Sequence, residues 1–375
     1  MSGAPLFSVL MPTHSRVDVI GHAIRAVLDQ SLGDFELLIV GDGAAEGTSA
    51  VVEGFADPRI RWFDLPKAPH FGYANRNVAL RESRGRYIAF AADDDLLFPD
   101  HLAILAGLLE DGAVFAAARA LWVSSDGVAA PFLTNLALAD EMLDFMEVRN
   151  TIAASCIAYC ADALPRRDVW PEEVETAGDW RLWRRILRDN AQAPARFSPE
   201  PTVLHFSAAW RKSRFADMPE FRDMLTIADA AGWWPQALKR EVPEGGREQA
   251  VWAAAMRADP EAFTHETRSA AADVAARLAW DHIRAALPEN ARLRDALAAA
   301  KTGLVNTAAR QAETEAMLAE ARVGLAEARE ALAAAEAGRD ALRAETEAAF
   351  RNSTSWKLTA PLRLLSATLR GTSGA

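Results

Sequence analysis

Gly85-Arg86-Tyr87-Ile88-Ala89-Phe90-Ala91-Ala92-Asp93-Asp94-Asp95-Leu96, running on into Phe98-Pro99-Asp100-His101-Leu102, is the stretch on which the reading of this chain turns. An apolar, β-prone run from Tyr87 to Ala92 stops at three consecutive carboxylates, and a proline then opens a helix. Short apolar runs bounded by turn signals read as buried strands. In open α/β sheets, ligands collect at the carboxyl ends of such strands. Three adjacent carboxylates repel one another unless positive charge lies between them. A hard divalent cation shared with substrate phosphates supplies that charge; the alternative is a charged turn that caps the next helix.

Upstream, strand and helix alternate. Phe7 to Met11 reads as a strand stopped by Pro12-Thr13-His14-Ser15, and Val17 to Gln30 as a helix with Val19, Ile20, Ala23, Ile24, Val27 and Leu28 at helical spacing. A strand at Phe35 to Val40 ends in Gly41-Asp42-Gly43. A short helix follows over 47–56, then a strand over 60–63, a loop over 66–72, and a helix over 74–83 that leads into the opening stretch. This alternation predicts an α/β fold, a mostly parallel sheet between helices joined by right-handed crossovers. Asp42, flanked by glycines, presents a carboxylate for a base or ribose, or else forms an Asx-turn. Pro12 to Arg16 is a phosphate-facing loop or a helix cap. No G-x-G-x-x-G follows the first strand and no G-x-x-x-x-G-K-[ST] occurs, which argues against dinucleotide dehydrogenases and P-loop enzymes.

Downstream, 113–123 is β-compatible, and the turn Ser124-Ser125-Asp126-Gly127 predicts a hairpin reaching Leu133. Leu136 to Arg149 reads as a helix. The apolar segment 151–161 holds both cysteines, Cys156 and Cys160, read as buried, inert thiols. Asp179 stands at the start of a helix whose Leu182, Trp183, Ile186 and Leu187 share a face; it is an N-cap or a general base. Pro201 to Phe206 reads as a strand carrying His205, which ligates metal, touches phosphate or is structural.

Five pieces in this order resemble the inverting glycosyltransferases of family 2, over residues 7 to about 210. They are Val9-Leu10-Met11-Pro12-Thr13, Leu38-Ile39-Val40-Gly41-Asp42-Gly43, Arg76-Asn77-Val78-Ala79-Leu80, Gly85 to Asp95 with Pro99 and Leu102, and Asp179-Trp180-Arg181-Leu182-Trp183. The resemblance implies the GT-A fold, a nucleotide-sugar donor (a UDP-sugar favoured) and a divalent cation, Mn²⁺ or Mg²⁺. It implies Asp179 as the catalytic base and Pro12, Thr13, Asp42, Asn77 and Asp93 around the nucleotide. It also implies metal ligation from Asp94, Asp95 and His205. Two positions depart from the family pattern: Gly41 stands where an Asp is common, and Gly178 where a Glu is common. The chemistry agrees. A diphosphate leaving group needs positive charge, an attacking hydroxyl needs one base, and one base without a protein nucleophile implies inversion.

The whole chain has 375 residues, enough for two or three units. Its 52 acidic against 41 basic residues argue against a nucleic-acid partner. Two cysteines fit a reducing compartment, and neither a signal peptide nor a bilayer-length apolar run is recognised. The expected organisation is a catalytic domain over 1–213, a helical region over 214–289, a coiled coil over 290–350 and a basic amphipathic tail over 351–375. Leu297, Leu304, Leu318, Leu325 and Leu332 hold one heptad register with Gln311 in the gap; Ala300, Ala321, Ala328, Ala335 and Leu342 line the companion seam. A homodimer through this seam is expected, the alternative being a single long helix leaning on the protein; a cytoplasmic location is expected, with the tail either lying on the inner face of the plasma membrane or docking on a protein partner or on the chain's own domain. The acceptor expected is a glycan or lipid-linked glycan of a bacterial surface polysaccharide. Two other readings stand beside this one: a catalytically silent assembly protein organised by the coiled coil, and a nucleotidyltransferase.

Overall fold

The computed structural model describes residues 3–206, 219–361 and 363. They form two compact units, Met1–His282 and Ile283–Ala375. In the first unit the elements run β1 (Phe7–Thr13), α1 (Ile20–Leu28), β2 (Phe35–Asp42), α2 (Thr48–Glu53), β3 (Ile60–Leu65), α3 (Tyr73–Arg81) and β4 (Tyr87–Phe90). After them come β5 (Leu96–Leu97), α4 (His101–Glu110), β6 (Phe115–Val123), β7 (Ala129–Pro131), α5 (Ala139–Glu147), β8 (Ile157–Cys160), α6 (Gly178–Asp189) and β9 (Ala195–Phe206). Helices at Pro219–Ala230 and Glu248–Ala258 follow.

One nine-stranded sheet takes the order β3-β2-β1-β4-β8-β6-β9-β5, with β7 paired to β6. β3, β2, β1 and β4 are parallel, as the alternating pattern requires. The sheet is mixed beyond β4, because β8 enters antiparallel between β4 and β6. This is the GT-A architecture. Every residue of β2 and β4 is buried, which is why these strands read as continuous apolar runs. The register brings Thr13 beside Gly41 and Asp42 beside Leu65, so the polar residues that close β1 and β2 emerge along one edge of the parallel half. β9 starts earlier than the apolar run over 201–206 suggests and pairs with β6 through an irregularity around Arg119.

An aromatic cluster ties α6 to the sheet. The fully buried Trp183 ring lies 4.6 Å from Phe90, 6.0 Å from Trp170, 6.3 Å from Tyr159 and 6.4 Å from Phe115. Offset and edge-on aromatic pairs of this kind add about 0.5–1.5 kcal/mol each beyond area burial. Through this cluster the start of α6 is fixed against the carboxyl end of β4.

His101 opens α4 with no exposed surface, and its Nδ1 lies 2.8 Å from Thr202 Oγ1. Burial depresses its pKa from the ordinary 6.5 to about 3. The unfolded chain therefore binds the proton first, and stability falls as pH drops from 6.5 towards 3. At pH 5 the loss expected from this one ring is about 2 kcal/mol. Urea unfolding at pH 7 and pH 5 should show that increment in the native chain and not in His101→Gln.

In the second unit lies most of a 93-residue helix, Pro260–Asn352, which passes through Pro288 without a break; the alanine-rich flanks favour helix strongly enough to absorb the local loss. Leu297, Leu304, Leu318, Leu325 and Leu332 are each at least half exposed on it. Ser353 then caps a short helix, Thr354–Leu358, its Oγ accepting from Trp356 N at 3.2 Å. Most of the expected amphipathic tail lies outside the described residues. No described helix is long and apolar enough to cross a membrane.

Candidate active site

Asp93, Asp94 and Asp95 sit where β4 ends, in the turn before β5. Asp93 is half-buried, while Asp94 and Asp95 are buried. Burial and the charge of Asp94 push the Asp93 carboxyl up to about 7, against the opposing pull of Arg16 and the Thr13 hydroxyl. Asp94 is raised as well, by burial and by Asp95, although its Oδ2 pairs with Arg16 Nη1. Asp95 behaves differently. Burial alone would raise it, but His205, Ser155 and the Phe206 amide hold it below the usual carboxylate range. His205 Nδ1 lies 2.9 Å from Asp95 Oδ1, and Ser155 Oγ donates to Oδ2 at 2.5 Å.

The donor set suits a hard cation. Burial and mutual repulsion disfavour ionising Asp93 and Asp94 together even with Arg16 beside them; a divalent ion would stabilise both anions, and it is the species that such oxygens hold together with phosphate. Asp95 engages His205 through Nδ1, the arrangement by which a carboxylate orients a metal-ligating imidazole. Among the described residues, no three His, Cys, Asp or Glu side chains already converge as a metal cage.

Asp42 closes β2 with its carboxylate fully engaged. Lys67 Nζ donates to Oδ2 at 2.6 Å; the Ala68 amide and Asn75 Nδ2 donate to Oδ1 at 2.8 and 2.7 Å. It thereby pins the loop between β3 and α3. Gly72 in that loop has φ +72°, and a Cβ there would meet the Asp42 carboxylate at 2.4 Å, so only glycine fits. Asn77 faces elsewhere: its amide donates to Trp170 O and Glu172 Oε1 and accepts from Trp170 N. Pro12 is half-buried and Thr13 buried at the end of β1, beside β2.

Asp179 is the second residue of α6, half-buried, and it is not the N-cap; Ala177 holds that place, with φ +56°. Its Oδ1 accepts from the Trp180 amide at 2.8 Å, and Asn150 Nδ2 approaches Oδ2 at 3.4 Å. Ala177 and His70 are two of three described non-glycine residues with positive φ, and each lies beside a site carboxylate's segment. Backbone held in that region costs about 1–3 kcal/mol and collects at functional sites.

Arg76 is the residue that sequence reasoning passed over, although it stood in one of the five motif pieces. Its guanidinium lies over Trp170 at 4.5 Å and Tyr73 at 5.1 Å, and Nη2 donates to Phe71 O at 3.1 Å. Burial lowers its pKa, while Tyr73, Asp179, Asp42 and Asp93 work to raise it. Arg76 thus stands in the field of all three carboxylate groups of the site. The two departures from the family pattern also find their reasons here. A side chain at Gly178 would meet the Tyr73 ring at 2.5 Å, and one at Gly41 would meet Trp62 at 2.6 Å.

Residues 8–163 match the family model described as glycosyl transferase family 2. A glycosyltransferase assigned to teichuronic acid biosynthesis in Bacillus subtilis is 27% identical over 187 residues, covering 49% of this chain and 73% of that protein. The UDP-Glc:alpha-D-GlcNAc-diphosphoundecaprenol beta-1,3-glucosyltransferase of Escherichia coli is 25% identical over 186 residues, covering 49% of this chain and 71% of that protein. Other relatives are matched over less of their length, an uncharacterized glycosyltransferase of Rickettsia bellii over 26% of it. Among solved structures, a mannosyltransferase of Pyrobaculum calidifontis in complex with GDP-Man and Mn²⁺ aligns at 18% identity with a TM-score of 0.43, covering 79% of this chain and 81% of that one.

Proposed function

Because residues 8–163 are a family 2 glycosyltransferase domain, we propose that this chain moves a sugar from a nucleotide-sugar donor to a hydroxyl of a glycan or lipid-linked glycan in bacterial surface polysaccharide synthesis, with a divalent cation and with inversion. The observation that carries the reading is the crowding of Asp93, Asp94 and Asp95 at the end of β4, where burial and mutual repulsion raise Asp93 and Asp94 although Arg16 pairs with Asp94. Asp94 and His205 would hold the cation, with Asp95 orienting His205 and Asp93 on the ribose side. Pro12, Thr13 and the Lys67–Phe71 loop pinned by Asp42 would enclose the nucleotide. The bound cation supplies positive charge for the departing diphosphate.

Asp179 takes the proton of the attacking hydroxyl, and Arg76 supplies a second, fixed positive charge among the site's carboxylates. A single carboxylate base working without a protein nucleophile gives one displacement, so the anomeric configuration inverts. Neither the nucleotidyltransferase nor the silent assembly protein is favoured by these findings. The exposed leucines of the long helix support self-association, and UDP is the nucleotide expected first. The proposed limits of the parts remain 1–213, 214–289, 290–350 and 351–375.

Stereochemistry tests the reading. Incubated with α-linked UDP- or GDP-sugars and Mn²⁺, the enzyme should release or transfer sugar whose first-formed anomer is β, read by proton NMR before mutarotation. A first-formed α anomer would contradict the single displacement.

A further inference from the structure

We infer that Arg16 is the resident counter-charge of the Asp93–Asp95 cluster, displaced from Asp94 when a divalent cation binds and then turned onto the donor diphosphate; this rests on the metal reading proposed above. Arg16 Nη1 pairs with Asp94 Oδ2, with the two side chains 15% and 4% exposed. All three carboxylates act on the guanidinium and hold its pKa up despite burial. A dication placed on Asp94 would share that carboxylate with a second fixed positive charge. The guanidinium cannot relieve the repulsion by losing its proton, because arginine stays charged in proteins. It must move.

The surroundings allow a side-chain movement and little else. Arg16 follows Thr13 in the loop from β1 to α1, and its carbonyl accepts from the Val19 and Ile20 amides at 3.0 and 2.9 Å, which fixes the backbone. The long side chain pivots from that anchor beside the proposed nucleotide crevice. A planar fork of N–H donors matches the oxygens of a diphosphate, so the group that leaves Asp94 has a partner when metal and donor arrive together. Arg16 then acts with opposite sign on the two ligands: it competes with the metal alone and assists the metal–nucleotide pair.

Mn²⁺ binding to the full chain, followed by electron paramagnetic resonance or calorimetry, separates this from a structural role. Without nucleotide, Arg16→Gln and Arg16→Ala should bind Mn²⁺ about tenfold or more tighter than wild type, because a competing cation is gone. In saturating Mn²⁺ the same variants should bind UDP or GDP about tenfold more weakly. Arg16→Lys, which keeps the charge and the fold, should return Mn²⁺ affinity towards wild type. If Mn²⁺ affinity is unchanged or lower in both neutral variants, while wild type binds Mn²⁺ with nucleotide, the inference is overturned alone. If no protein binds Mn²⁺ with or without either nucleotide, the metal reading falls and takes this inference with it.

Discussion

Asp179→Asn is expected to lower turnover by about 10²–10⁴ while leaving the nucleotide dissociation constant within a few-fold of wild type. Asn keeps the shape of the side chain and an oxygen to accept from the Trp180 amide, so α6 and its aromatic anchors should survive the change. What Asn lacks is the ability to take a proton. The carboxylate is half-buried at the start of α6, where Trp183 holds it against β4, and Asn150 approaches its second oxygen at only 3.4 Å. A group placed so is rigid, partly open and available to an incoming hydroxyl. Turnover within tenfold of wild type would remove Asp179 as the base.

The second large effect is expected on binding. Asp94→Ala should weaken Mn²⁺-dependent nucleotide affinity by about 100-fold, or about 2.7 kcal/mol, and leave metal-independent binding nearly unchanged. Asp94 is the middle one of the three carboxylates, with Asp93 and Asp95 as sequence neighbours and Arg16 as its ion-pair partner. Removing it would take away carboxylate oxygens that would hold the cation, and with it the positive charge it would supply to the diphosphate. Asp95→Ala should act differently, through stability and the orientation of His205, since its oxygens engage His205, Ser155 and the Phe206 amide. Calorimetric titration with and without Mn²⁺ distinguishes the two. Equal affinities in wild type and Asp94→Ala would remove Asp94 as a ligand.

Much of the fold is legible in the sequence. β1, β2 and β4 are buried runs bounded by turn residues, and such strands declare themselves. Thr13 and Asp42 close β1 and β2, and Asp93 follows three residues after β4, where the same turn signals direct attention. The antiparallel entry of β8 between β4 and β6 was not legible, because strand order is a non-local property and Ile157–Cys160 is only four residues long. The first half of β9 was hidden by Arg196, Ser198, Pro199 and Glu200, residues that do not look like a strand until β6 pairs with them.

In the site, the acids were visible and their counter-charges were not. Arg76 lies in a motif piece and Arg16 in the loop just after another, but which carboxylate each faces is set by how the β1–α1 loop and α3 pack on the sheet. Asn75 and Asn77 show the same limit more sharply. Two residues apart on α3, they point to different sides of the helix, so Asn75 meets Asp42 and Asn77 meets the Trp170 backbone. Motif position favoured Asn77; helix geometry turns Asn75 towards the crevice.

Whether the triple-aspartate end of β4 is a metal-dependent nucleotide-sugar site can be read from thermal denaturation of the full chain. UDP, GDP, dTDP and CDP are each added with and without Mn²⁺, since a ligand that binds the native state raises Tm by mass action. Tm is expected to rise with one nucleotide, UDP first among them, and only when Mn²⁺ is present. A Tm indifferent to all four nucleotides in saturating Mn²⁺ would contradict such a site.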